Sequence, residues 1–107
     1  MLKQVGVAFG VLLINSPAWS ASDFYAGNAF IQFCRDQSSK DLVSGYAAGI
    51  VSGFTMNKPG AFCVPPGATT AQLGEIACQY LDRNPQLRQK AAGFLVVQAL
   101  RAAWPCP

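Results

Sequence analysis

The cysteines at positions 34, 63, 78 and 106 have more chemistry open to them than any other residues of this chain. An unpaired thiolate could act as a nucleophile, a cluster could hold zinc, and pairs could crosslink the fold. Spacing decides between these. No two of the four stand in a C-x-x-C arrangement, and the chain has no His to complete a zinc site or a Cys-His dyad. An even number of cysteines in a short chain reads as two disulfides, with three pairings open. Cys63 precedes and Cys106 follows two helix-spaced segments that are split by Asn84-Pro85. A helical hairpin brings its own ends together, so Cys63 pairs with Cys106. Cys34 and Cys78 then tie the first helix to the third.

Other catalytic chemistry is poorly supplied. Without His the usual general base is missing. The acids number five and none are spaced as a ligand set. Glu75 and Asp82 lie seven apart, on a similar face of one helix, as solvated charges do. Ser38-Ser39 and Thr69-Thr70 precede helical segments and read as caps rather than nucleophiles. Tyr25, Tyr46, Tyr80, Trp19 and Trp104 could suggest a ligand pocket, but tyrosines at helical spacing read as half-buried core with an exposed hydroxyl. The expectation is a protein that is not an enzyme, with no metal and no cofactor.

The elements that position these residues are all helical. Ala26, Ala29-Phe30 and Phe33-Cys34 recur at three and four residues, predicting a helix capped by Ser22 or Asp23 and ending near Asp36. Gln37-Ser38-Ser39 makes a turn, and a second helix follows from about Lys40 to Met56. Gly45, Gly49 and Gly53 stand in register on it, each costing about 1 kcal/mol relative to Ala. They predict a smooth groove against which another helix of this chain packs; a homodimer seam is the alternative. Asn57-Lys58-Pro59-Gly60 is a loop, and Val64-Pro65-Pro66-Gly67 is extended. Thr69-x-x-Gln72 is a capping box, with Leu73, Ile76, Ala77, Tyr80 and Leu81 in an amphipathic stripe behind it. Asn84 caps a fourth helix with Pro85 at its first position. Leu87, Ala91, Phe94, Leu95 and Ala99 line its inner face, and Arg88, Lys90 and Arg101 lie largely away from it. No strand alternation is present. The fold is an all-α bundle of four helices stapled by two disulfides.

Lys3, the apolar run Val5–Ile14 and the small residues of Ala18-Trp19-Ser20 follow the order of a secretory signal peptide. Ten apolar residues are short of the roughly twenty that span a bilayer. The expected division is a leader over residues 1–20 and a mature helical domain over 21–107, exported and free of the membrane. Removing Lys3 leaves seven bases against five acids, a net charge of +2. With no basic cluster, nucleic acid is not an implied partner. Charged residues make up only 12% and apolar ones 51%, which points to a well-filled core or to a patch kept for a protein partner.

The order of motifs resembles a known family. Gly45-Tyr46-Ala47-Ala48-Gly49-Ile50-Val51-Ser52-Gly53 follows Cys34. Then come Phe62-Cys63-Val64-Pro65-Pro66-Gly67, Gln72-Leu73, Tyr80-Leu81-Asp82-Arg83-Asn84-Pro85, and Ala99-Leu100-Arg101-Ala102-Ala103-Trp104-Pro105-Cys106. Together they are similar to the Rap/Tai immunity proteins of type VI secretion systems, over essentially the whole mature chain. Two departures stand out. The family's Cys just before Gly-Tyr is replaced by Leu42-Val43-Ser44, with Cys78 present instead, and Ser52 stands where Asp is common. The Cys34…Cys78 pattern is also reminiscent of HdeA-type periplasmic acid chaperones, although these lack the Trp-Pro-Cys end and are richer in charge.

The Rap/Tai resemblance implies a periplasmic, disulfide-stapled helical protein that binds and inhibits a peptidoglycan amidase effector and so protects the producing cell. The alternative is an acid-stress chaperone of the HdeA type, for which five acids are few. By composition, the loop best suited to fill a partner's cleft is Asn57-Lys58-Pro59-Gly60: polar, sharply turned and close to Cys63; the alternative for these residues is a plain interhelical turn. A braced scaffold holding such a loop loses little entropy on docking.

Overall fold

The computed structural model describes residues 26–107. The expected leader over 1–20, the expected caps at Ser22 or Asp23, and Tyr25 lie outside the described residues. Four α-helices follow in order: α1 (Gly27–Arg35), α2 (Lys40–Asn57), α3 (Thr70–Arg83) and α4 (Ala92–Ala103). Among the described residues there is no strand. A single antiparallel bridge joins Ala26 to Ala91. No described helix is long and apolar enough to cross a membrane.

Each boundary has a local cause. Asp36 organises the turn between α1 and α2. Its Oδ1 accepts from the Ser38 backbone N–H at 3.1 Å and from the Ser38 hydroxyl at 2.8 Å, and its Oδ2 accepts from the Ser39 hydroxyl at 3.1 Å. The expected serine caps are thus donors to Asp36, and the Ser39 side chain does not cap α2. α3 opens on the complete capping box. The Thr69 hydroxyl accepts from Gln72 N–H, and the Gln72 side chain accepts from Thr69 N–H.

The fourth helix departs from expectation. Pro85 does not begin it. Pro85–Leu87 is a short 3-10 turn, the chain then breaks, and α4 starts only at Ala92. Asn84 serves the preceding helix instead, donating from Nδ2 to the Tyr80 carbonyl at 2.8 Å. The break has two tasks. Arg88 folds back and donates from Nε to the Leu81 carbonyl at 2.7 Å and from Nη2 to that of Asp82 at 3.1 Å, satisfying the end of α3. The carbonyls of Arg88 and Lys90 accept from the Asn28 and Gly27 amides at 2.7 and 2.8 Å, docking the start of α1. A Cβ on Gly27 would meet the Arg88 carbonyl oxygen at 2.8 Å, so only glycine fits this approach.

Two buried clusters fill the bundle. One joins α1 to the start of α2, the end of α3 and the start of α4 through Phe30, Ile31, Val43, Leu81, Ala92 and Leu95. The other centres on Ala47, Phe62, Leu73, Ala77, Val96 and Leu100. The core face of α4 is therefore Ala92, Leu95, Val96, Val97, Ala99 and Leu100. Phe94 and Ala91, expected inside, are exposed; Lys90 Nζ lies over the Phe94 ring, 5.3 Å from its centre. The start of the helix moved to Ala92, and this end of the expected stripe went with it. Tyr46 and Tyr80 are half-buried, and Phe30 and Tyr46 have ring centres 5.0 Å apart.

Both disulfides form as the hairpin argument requires. Cys34–Cys78 ties α1 to α3, and Cys63–Cys106 joins the chain before α3 to the chain after α4, with Cα separations of 5.7 and 5.0 Å. Every described cysteine is paired.

The glycine expectation is overturned. Among the described residues nothing lies within 4 Å of a Cβ built on Gly45, Gly49 or Gly53, so no described helix packs against them. The close α2–α3 approach occurs one face over, at Gly74. A Cβ there would meet Ser44 Oγ at 2.9 Å and Ser44 Cα at 3.3 Å.

Candidate partner-binding surface

Lys58, Pro59 and Gly60 stand at the tip where α2 ends, and the structure clamps this loop from three directions. The Lys58 amide donates to the Phe54 carbonyl at 2.8 Å, and Ala61 N–H donates to the Lys58 carbonyl at 3.3 Å, closing the turn. Gly60 has φ +98°, a conformation that side chains rarely adopt. Phe62 then returns inward, and its ring centre lies 5.8 Å from that of Phe54. From the opposite end of the chain, Arg101 Nε donates to the Ala61 carbonyl at 3.1 Å. The Cys63 amide donates to the Trp104 carbonyl at 2.9 Å, just ahead of the Cys63–Cys106 bond.

Asn57, Lys58 and Gly60 occupy different positions in this arrangement. Asn57 is the last residue of α2, and its Nδ2 donates back to the Gly53 carbonyl at 2.9 Å. It belongs to the helix end more than to the loop. Lys58 and Gly60 are exposed at the tip.

Concave surface flanks the loop on both sides. A hollow of about 480 Å³ is lined by Val51, Phe54, Thr55, Phe62 and Val64 together with Lys58–Gly60. A second, of about 330 Å³, is lined by Gly49, Ile50, Gly53, Phe54, Asn57 and Lys58. Phe54 and Lys58 border both. Gly49 and Gly53, where a Cβ would meet nothing among the described residues, thus shape the second hollow, because the absence of side chains leaves the α2 backbone bare.

Leu42, Gly45, Gly49, Gly53 and Met56 recur at three and four residues and share this outward face of α2. It runs for about 21 Å at 1.5 Å per residue. Met56 is 82% exposed and Leu42 is also exposed. From Leu42 to Gly74 the chain carries a single charge, Lys58. An exposed apolar face with one cation at its tip can dock against a protein partner. A third hollow, of about 300 Å³, lies near Cys34 and Cys78 and is rimmed by Lys40, Asp41 and Glu75. No group of three His, Cys, Asp or Glu side chains among the described residues is placed to hold a metal ion.

The sequence located the loop by its Pro-Gly pair but missed Val51, Phe54, Thr55, Phe62 and Val64, which form its walls, and Arg101, which holds it. Arg101 read as a solvated charge on α4; no local pattern announces a contact to a residue forty positions away.

Comparison with known proteins gives a single result. The family model of the Rap1a immunity proteins matches residues 26–106, which is all of the described fold but its last residue. No curated protein and no solved structure matches the chain.

Proposed function

We propose that this chain, which belongs to the Rap1a immunity proteins, is an exported inhibitor that binds a peptidoglycan amidase effector of type VI secretion and blocks it sterically. The observation that carries this reading is the extent of the family match. It runs from residue 26 to residue 106 and so takes in all four helices and both disulfides. The disulfides are compatible with an oxidising, extracytoplasmic compartment, and the leader-like residues 1–20 direct the chain to the periplasm.

Inhibition uses the end of α2. The loop Lys58–Gly60 enters the partner's cleft, while the bare glycine face and Met56 lie along its rim. The two staples and the Arg101 contact keep the loop in one conformation, so little entropy is lost on docking. The test is co-expression of the exported protein with type VI amidase effectors directed to the periplasm. The wild-type protein should abolish lysis by its cognate effector. Lysis unchanged for every effector would rule the reading out.

A further inference from the structure

We infer that Arg101, fixed by its Nε to the carbonyl that follows the loop, is a preset fork for a carboxylate on the protein partner. The inference deepens the proposed inhibitory role and rests on it for the nature of the partner.

The geometry begins at Ala61. Its N–H donates to the Lys58 backbone carbonyl and its own carbonyl accepts from Arg101 Nε, so the guanidinium is tied to the backbone that closes the loop. A guanidinium has five N–H donors. The Ala61 bond uses one of them and, through the rigid plane of the group, sets the direction of the rest. Arg101 is exposed, and the remaining donors meet no carboxylate among the described residues. Its position in the last turn of α4 would favour any cation through the helix dipole. That accounts for the charge but not for the bond to a carbonyl forty residues away.

The surroundings are one-sided. The side-chain carboxylates of the described residues are Asp36, Asp41, Glu75 and Asp82. Asp36 is bound by Ser38 and Ser39, Asp82 pairs with Arg88 at 3.9 Å, and Asp41 and Glu75 border the hollow near Cys34 and Cys78. No carboxylate lines either hollow at the loop, where Lys58 is the one charged side chain. An exposed guanidinium with no carboxylate partner among the described side chains, held against the residue that follows the loop, complements an acidic side chain at the mouth of a partner's cleft. Exclusion of water there strengthens the pair, and a planar fork matches a carboxylate better than an ammonium does. Arg88 shows the contrasting case: its fork is spent on two carbonyls and Asp82 inside the fold.

The first test needs no effector. The mature protein, labelled with ¹⁵N, is titrated with N-acetylglutamate methylamide while the arginine Nε–H signals are followed. Arg101 should shift first and furthest, ahead of Arg35 and Arg83. Equal shifts at all three overturn the inference. The second test uses an amidase effector that binds the wild-type protein. Arg101→Ala should weaken binding at least tenfold and flatten its dependence on sodium chloride, while Arg83→Ala changes neither. Reversing one acidic residue of the effector to Lys should restore binding to Arg101→Glu. A complex whose affinity and salt dependence ignore Arg101→Ala also overturns the inference. If no effector binds the wild-type protein while Arg101 still leads the titration, the fork stands and the amidase reading fails.

Discussion

The amide of Cys63 donates to the carbonyl of Trp104 at 2.9 Å, two residues before Cys106 closes the disulfide back to Cys63. The same short contact therefore joins the two ends of the α3–α4 hairpin twice, once by a hydrogen bond and once by a covalent bond. The loop proposed to meet the partner hangs directly from it.

Losing either end of that staple should be equivalent. Cys63→Ala and Cys106→Ala break the same 43-residue closure, worth roughly 4 kcal/mol in chain entropy. Urea unfolding of each variant should give nearly the same loss. A large difference between them would show that one cysteine acts outside the disulfide.

Glycines on the two faces of the bundle should respond oppositely. Gly49→Ala puts its methyl in open space, so it should stabilise the protein by about 0.5–1 kcal/mol through helix propensity. Gly74→Ala drives a methyl toward Ser44 and should destabilise it by about 1–3 kcal/mol, as overpacking does. Thermal unfolding of the pair checks both signs. If the α2 face docks, Gly49→Leu should fold well and still lose effector binding.

Acid should loosen the turn between α1 and α2 first. The hydroxyl and amide of Ser38, then the hydroxyl of Ser39, hold the Asp36 carboxyl below its usual range. A carboxyl depressed by folding stabilises the native state above its unfolded pKa, about 3.9. That contribution is lost as pH falls below this value and through the folded pKa. The protection of the Ser38 amide against hydrogen exchange, relative to its intrinsic rate at each pH, should fall across this window, and Asp36→Asn should remove that pH dependence.

Export should remove the first twenty residues. Mass spectrometry of the periplasmic protein should find Ala21 at the N-terminus; Met1 retained in a membrane fraction would contradict the leader reading.

What the sequence made legible was local or paired. The Thr69–Gln72 capping box placed the start of α3 because both partners lie within four residues. The two disulfides were readable because a hairpin leaves few choices for Cys63. The break at Arg88–Ala91 was not, because it is held by contacts to α1 and to the end of α3 rather than by its own propensity. The glycine stripe was read as internal packing because its spacing carries no sign of which side of α2 faces the core. Val43 and Ala47 decide that, and they lie on the opposite side. At the candidate site, Pro59-Gly60 marked the turn, but its walls and the Arg101 contact come together only in the fold.

The most direct measurement is inhibition in solution. The purified mature protein, disulfides intact, is titrated at neutral pH into a type VI peptidoglycan amidase effector while peptide release from peptidoglycan is followed. The expected result is complete inhibition of a cognate effector by one equivalent of the protein, lost on reduction of Cys63–Cys106. Full amidase activity at every ratio with all such effectors, together with suppression of acid-induced aggregation of unrelated proteins, would contradict the account and point to the chaperone alternative.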